Sequence, residues 1–392
     1  MANADHFSIC GGNVLFPQGL CQTNLVIEDG LICESGSASN RSEVIDATGL
    51  YVLPGIIDLH GDAFERQIMP RPGVHFDLQL ALAETDRQLV SNGISTAYHG
   101  VTYSWEPGLR GRDTLLRIMD AMAETARYLA CDTRLHLRHE TFNLDAEAEI
   151  LDWLAAGKID LLAFNDHTPD ILRKLSRPSD AMTVLQRSGL ELRALSDLAQ
   201  RVNARSAEVG SSIARLAAAA VAVGVPQASH DDPSPEIRQW YQSMGCGISE
   251  FPKTRETAAL ARLLGNHVVF GAPNVVRGGS HQSNSVSAAA MAKDGLCTVL
   301  TSDYYYPAML PAAFRLSDDG VCTFAEAWAM VSSNPAEAAG LKDRGSLAPG
   351  MRADILLVQA PEGRVPSVVA HLIGGRVAYA VTGSRATLFT EN

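Results

Sequence analysis

Eight short apolar runs alternate with helical stretches between Tyr51 and about residue 340, and no other feature of this 392-residue chain restricts its fold as strongly. The runs are Ile56–Leu59, Ile94–Gly100, Thr133–Leu137, Leu161–Phe164, Val225–Ser229, Gly247–Glu250, His267–Phe270 and Thr298–Thr301. They are apolar nearly throughout rather than at alternate positions, as parallel strands covered on both faces should be. Between the second and third, Asp113–Ala130 spaces Leu115, Met119, Met122, Ala126 and Leu129 with helical periodicity. Ser196–Gly224 reads as one or two long Ala-rich helices. Eight strands separated by helices predict an α/β fold of the (β/α)8 or TIM-barrel kind. An open doubly wound sheet is the alternative, weakened because no Gly-rich phosphate-binding turn follows an early strand.

The chain ends have a different texture. Residues 7–50 hold short β-like runs (Asn24–Glu28, Leu31–Ser35, Glu43–Asp46) broken by Gly, Asn and Asp. Residues 352–380 repeat the pattern, with a Gly374-Gly375 hairpin turn between Ser367–Ile373 and Val377–Tyr379. Neither end could bury a sheet face alone. Residues 1–50 and 341–392 are therefore expected to meet in one small β-sandwich domain beside a barrel of residues 51–340, with 382–392 as a peripheral tail.

Composition excludes several function classes. Acidic residues outnumber basic ones by 44 to 32, a net charge of −12, so binding nucleic acid through bulk positive charge is not expected. Seven cysteines are scattered singly, without a CxxC pair, as suits reduced thiols in a cytoplasmic protein. The opening MANADHFSICGG has no basic segment followed by an apolar core, so no signal peptide is expected. The longest apolar run, Leu216–Val225, falls short of the ~20 residues that span a bilayer, and no membrane partner is expected.

In a barrel the reactive residues gather at the C-terminal strand ends. Here those ends carry His60-Gly61-Asp62, His139-Glu140, Asn165-Asp166-His167, His230-Asp231-Asp232 and Ser302-Asp303. Side chains two apart lie on one face of an extended strand, so His60 and Asp62 can converge on one ion. Imidazoles and carboxylates are ligands for zinc, manganese or iron. A strand-end Asp is also an ordinary helix N-cap, and a histidine such as His136 or His267 reads more readily as a capped or core residue than as a ligand. The case for a metal lies in five of eight strand ends offering such a group.

Leu53-Pro54-Gly55-Ile56-Ile57-Asp58-Leu59-His60 resembles the opening signature of the amidohydrolase superfamily. Asn334-Pro335-Ala336 and Gly345–Asp354 resemble its closing signature. A narrower resemblance covers nearly the whole chain. Asp58–Arg66 with Pro70-Arg71-Pro72-Gly73, Ser104–Arg110, Gly271–His281 and Ser302–Pro307 are similar to a phosphonate-catabolism family of the carbon–phosphorus lyase pathway, the alpha-D-ribose 1-methylphosphonate 5-triphosphate diphosphatases. The resemblance implies a hydrolase that releases pyrophosphate from a phosphorylated ribose and leaves the 5-phosphate. It implies one or two divalent ions, zinc or manganese, on His60, Asp62, Glu140 (bridging), His167, His230 and Asp303, with Asp303 as the catalytic residue beside the activated water.

Two departures stand out. Many superfamily members carry His-x-His where this chain has His60-Gly61-Asp62, and the family's Thr-Pro-Gly-Gln after the fourth-strand histidine is Thr168-Pro169-Asp170-Ile171 here. A triphosphate needs cations around it. Arg66, Arg71, Arg110 and Arg277 are the candidates, with Asn274, Ser280 and His281 completing the substrate contacts. Salt bridging of Arg66 and Arg71 to Glu65 or Asp77 is the plainer reading of those two. An amidase or deacetylase on the same scaffold is the rival enzyme, and a non-catalytic scaffold protein is the rival of another class. Association with copies of itself is compatible with either enzyme.

Overall fold

The computed structural model describes residues 6–34, 43–279, 286–381 and 388–390. Eight parallel strands form the barrel: Ile56–Gly61, Ile94–Tyr103, Asp132–Glu140, Leu161–Asn165, Gln227–His230, Ile248–Glu250, His267–Gly271 and Val299–Thr301. They are hydrogen-bonded in chain order, and a parallel bridge between Gly61 and Asp303 brings the eighth back to the first. All eight predicted runs are strands, and the doubly wound alternative is excluded. Each strand is followed by helical structure, as the hydrophobic spacing required; the helix after the second strand is Arg112–Thr125.

Period-two alternation stacks the interior in layers. Ile57, Leu59, Tyr98, Leu161, Ala163, Ala228, Ile248, Val269 and Val299 fill the lower barrel with one apolar cluster. Two residues further along the strands, the inward positions are Gly100, Asn165, His230, Glu250 and Gly271. A polar layer therefore rests on an apolar floor.

Nine strands from both chain ends form the second sheet. His6–Phe16 is its long axis, pairing with Gly19–Glu28 along its length, with Glu43–Asp46 over its first half and Tyr51–Pro54 over its second. Ile355–Gln359, Ser367–Ile373 and Arg376–Ala380 extend it beyond Tyr51–Pro54. Ile355 and Leu357 face the small domain's own core, while Leu356 and Val358 face the barrel. The two units thus share one strand's opposite faces. Sequence patterning missed two of these strands. His6–Phe16 carries a register shift between Ile9 and Gly12, and Tyr51–Pro54 runs into the first barrel strand with only Gly55 between. Part of the expected tail also pairs: Leu388–Thr390 lies antiparallel to Glu43–Asp46.

Between the fourth and fifth strands the chain inserts three helices, Thr168–Leu175, Pro178–Ser188 and Leu192–Asn203, with a small core of Ile171, Leu175, Ala181, Val184, Leu195 and Ala199. The insertion is fastened to the loop after the second strand. Trp105 Nε1 donates to Thr168 Oγ1 at 3.0 Å, and Arg187 pairs with buried Glu106. The following helix, Ser206–Val223, is long and apolar enough to span a membrane by length and composition. Here it is the crossover back to the barrel, with Ile213, Leu216, Ala217 and Ala220 buried in the core. All seven cysteines are free.

Candidate metal centre and active site

A cavity of about 310 Å³ opens at the C-terminal rim of the barrel. His60, Asp62, Arg138, His167, His230, Asp231 and Asp303 line its floor and sides, with Arg110, Lys253, Asn274 and Arg277 around them. Four of the five strand ends named above therefore send a histidine or carboxylate to one focus, while His139 and Glu140 of the third strand lie outside the lining. Among the described residues, two groups of three have ligand atoms within 4.8 Å of one another: His60, His136 and Glu250, and His167, His230 and Asp231.

Glu250, fully buried at the end of the sixth strand, organises the first group. Its Oε1 lies 3.1 Å from His60 Nδ1 and its Oε2 3.1 Å from His230 Nδ1. Both oxygens are thus committed to imidazoles, and each ring is fixed with its proton on Nδ1 and its Nε2 lone pair free for another partner. His136 Nδ1 meets the Leu59 carbonyl oxygen at 2.9 Å, and its Nε2 is 3.8 Å from Glu250. Burial pushes His60 and His136 down to about 3 and His230 well below its ordinary value. Neutral imidazoles beside Asp62, Asp231 and Asp303 make a nitrogen–oxygen donor set that fits zinc or manganese.

His167 is held by a second carboxylate. Glu140 Oε2 accepts from its backbone N–H at 3.0 Å, and Oε1 lies 2.5 Å from its Nδ1. Burial would raise Glu140, but the adjacent His167 outweighs it and holds the carboxyl at about 2. Asp303 behaves oppositely: burial, reinforced by Asp62, pushes it up to about 7.

The barrel seam is stitched at the same level. Ser302 donates to buried Asp58 from its backbone N–H at 2.9 Å and from Oγ at 2.5 Å. Asp303 N donates to the His60 carbonyl, and Asp62 N to that of Asp303, each at 2.9 Å. A Cβ at Gly61 would lie 2.8 Å from Asp58 Oδ2 and 2.9 Å from Ser302 Oγ, so the residue between His60 and Asp62 has no room for a side chain. Asp231, Phe251 and Asp303 hold left-handed φ angles of 62°, 51° and 54°. Such angles cost about 1–3 kcal/mol each and persist where surroundings fix them. Each of the three donates its N–H to a carbonyl on or beside a neighbouring strand (Glu250, Val269 and His60), at 2.8, 3.0 and 2.9 Å. Asp232, at the end of the fifth strand, accepts from Ser229, Ser249 and buried Arg238 beneath the site.

The expected substrate contacts fare unevenly. Arg110 lines the cavity but forms a two-pronged pair with Glu65 at 3.1 and 3.0 Å. Arg277 lines it from the rim, exposed, with Nη1 3.4 Å from the Tyr304 hydroxyl. Arg66 is exposed, its guanidinium 5.9 Å from the Tyr304 ring centre, not paired to Glu65 as the plainer reading held. Arg71 lies in an exposed 71–74 turn and, like Arg66, is not among the residues that line this cavity. Asn274 borders the cavity, yet its amide donates to the Val286 carbonyl and accepts from Ala288 N, so it braces the loop. Ser280 and His281 lie outside the described residues.

Sequence reasoning missed Glu250 and Arg138. Glu250 obeys the same strand-end rule as the ligands, and that rule could have found it. Arg138 shares the inward face of the third strand with His136 and Glu140, the signal being its i, i+2 spacing. Lys253, 2.7 Å from Asp231, is a further cation on the wall.

A model of the amidohydrolase family matches residues 78–379. Alpha-D-ribose 1-methylphosphonate 5-triphosphate diphosphatase of Escherichia coli (strain K12) is 31% identical over 356 residues, covering 87% of this chain and 92% of that protein. A dihydroorotase of Trichlorobacter lovleyi (strain ATCC BAA-1151 / DSM 17278 / SZ) is 47% identical over 57 residues, 13% of each. Among solved structures, a prolidase complexed with N-methylphosphonate-L-proline superposes with a TM-score of 0.64 at 15% identity, covering 96% of this chain and 100% of that one. A beta-aspartyl dipeptidase of Fervidobacterium islandicum AW-1 gives 0.63 at 14% identity, covering 97% of each. At such identities the structural likeness speaks to the fold alone.

Proposed function

The chain belongs to the amidohydrolase family, and from that premise we propose that it is a metal-dependent diphosphatase. Its substrate in this reading is alpha-D-ribose 1-methylphosphonate 5-triphosphate, cleaved by water to the 5-phosphate and pyrophosphate. The observation that carries the reading is the near full-length likeness to the Escherichia coli enzyme of that name. The cavity adds support, since Arg110, Arg138, Lys253 and Arg277 all border it. An amide substrate with one carboxylate calls for one such cation.

His60, Asp62, His230 and Asp303 would hold the ion, with His167 beside them. When bound, a divalent cation supplies Lewis acidity, polarising a phosphoryl oxygen and acidifying water. The protein's own groups supply the rest. Asp303, near neutrality in its proton affinity, can take a proton from the attacking water and return it to a leaving oxygen. Attack falls on the phosphorus nearest the ribose, with pyrophosphate leaving in line. Lys253 and Arg277 face the charge that accumulates on the departing phosphates.

The test is turnover by zinc- or manganese-reconstituted protein, read by phosphorus NMR, against a panel of N-acyl amino acids and cyclic amides. Pyrophosphate release that is lost in Asp303→Asn is expected. Amide hydrolysis without pyrophosphate would overturn the proposal.

A further inference from the structure

We propose that a second cavity, beneath the three-helix insertion, receives the end of the substrate that keeps the reacting phosphate. Trp240 and Ile237 there favour substrates whose phosphonate bears a hydrocarbon group larger than methyl. The inference rests on the diphosphatase reading for the identity of the two substrate ends.

This cavity has a volume of about 1350 Å³ and meets the smaller one along Arg110, His167, His230, Asp231 and Lys253, which line both. A molecule held at His167 and His230 can therefore extend into it. One wall is the helix Pro235–Ser243, which buries a charged residue and leaves large apolar ones outside. Arg238 is fully buried and donates to Ser229 Oγ and to the carbonyls of Cys246 and Ile248. Ile237 and Trp240, three apart and so on one face, are each 38% exposed and line the cavity. Trp240 Cζ2 would lie 4.0 Å from a Cβ at Gly210, so the indole stands against the helix Ser206–Val223. Phe142 and Val209 add to the apolar surface. An apolar pair turned toward a cavity that adjoins reactive groups is surface for a ligand to cover.

Charge decides which end enters. Five arginines and lysines line the larger cavity, and each is paired with a carboxylate. Arg110 pairs with Glu65, Arg187 with Glu106 and Lys253 with Asp231, while Arg173 and Lys174 share Asp170. Asp166 on the same wall supplies the fifth carboxylate, and Asp232 is offset by Arg238. Arg277 lines only the smaller cavity and pairs with no carboxylate among the described residues, its contact being the Tyr304 hydroxyl. Pyrophosphate carries the greater part of the substrate's charge and suits that uncompensated side. The balanced cavity is left for the ribosyl end. Size points the same way. Sites that enclose a drug-sized ligand measure roughly 300–1,000 Å³, so a ribose with a methylphosphonate would leave much of this cavity to water.

Isothermal titration calorimetry on the zinc-reconstituted chain tests this, with alpha-D-ribose 1-methylphosphonate 5-phosphate and its 1-benzylphosphonate counterpart as probes. The benzyl compound is expected to bind wild type about tenfold more tightly or better, the gain from covering an aromatic ring. Trp240→Ala should bring that ratio below about threefold, and Trp240→Phe should keep most of it. Pyrophosphate should bind both variants as it binds wild type, and be weakened by Arg277→Ala. Equal affinity for the two phosphonates in wild type, a readout that depends on no variant folding, would overturn the inference. So would a benzyl preference that persists in Trp240→Ala, or pyrophosphate binding weakened by Trp240→Ala rather than Arg277→Ala. Pyrophosphate release from the methyl triphosphate without a benzyl preference would sink this inference alone. A benzyl preference that Trp240→Ala abolishes, without such release, would sink only the reaction.

Discussion

Replacing Glu250 by glutamine keeps the volume of a fully buried side chain and changes a single atom's hydrogen-bonding role. The carboxylate now accepts from Nδ1 of His60 and of His230, 3.1 Å each. An amide offers one acceptor and one donor group, so it can satisfy only one of the two rings. At the other, two donors face each other. That ring must either leave an N–H unpaired, at about 1–3 kcal/mol, or move its proton to Nε2 and lose the lone pair it presents to the cavity. The first leaves that ring without its anchor, and the second withdraws it from the cavity. Loss of such an outer carboxylate typically lowers metal affinity ~10–100-fold, or about 1.4–2.8 kcal/mol, which matches the hydrogen-bond figure. The assay is zinc competition with a fluorescent chelator, with circular dichroism as a check on folding. A folded Glu250→Gln protein that binds zinc within about twofold of wild type would refute the reasoning, because the two histidines would then be oriented by something other than Glu250.

Two predictions concern parts remote from the cavity floor. His371, buried in the small domain with Nδ1 2.9 Å from the Val90 carbonyl, is pushed down to about 4 by burial. The unfolded ring titrates near 6.5, so the fold prefers the neutral form. Its contribution is whole above pH 6.5 and is lost as pH falls toward 4, by about 3 kcal/mol in all. Denaturant unfolding of His371→Asn between pH 7 and 4.5 should show a pH dependence shallower by about 2.5 kcal/mol; an unchanged slope would exclude His371. Gly108, at φ 84°, packs so that a Cβ would meet the Arg187 carbonyl oxygen at 2.1 Å. Gly108→Val should therefore unseat the three-helix insertion and speed limited proteolysis within residues 168–203. Cleavage at the wild-type rate would show that the insertion is not seated there.

The barrel was legible because its strands are covered on both faces, and a continuous apolar run survives any error about which side chain points inward. The same property hid the last step of the small sheet. Tyr51–Pro54 is as apolar as Ile56–Gly61, and only pairing with His6–Phe16 and Ile355–Gln359 assigns it to the other domain. The strand-end histidines and aspartates were legible because a polar residue terminating an apolar run has few structural uses. Arginines were not legible in this way. Arg110 and Arg71 look alike in sequence, yet one is tied to Glu65 on the cavity wall and the other stands on an exposed turn. A charge's function depends on what neutralises it, and partners such as Glu65, 45 residues away in the chain, leave no local trace.

The same distinction explains why Glu140 and Glu250 resist assignment from their positions alone. Both end inward-facing strands, and both would pass as ligands by residue type. Each, however, spends both oxygens on the nitrogen atoms of histidines. A carboxylate so engaged orients an imidazole and shifts negative charge one layer out from the cavity. With Arg110 neutralised by Glu65, the charges left on the wall are Asp62, Asp231 and Asp303 against Arg138, Lys253 and Arg277. Three carboxylates against three cations leave the wall near balance, so an added ion would tip it positive. A polyanion is the ligand such a wall would hold more tightly than an uncharged amide. The chain as a whole carries −12, and local sign reversal of this kind is what an anionic substrate would require.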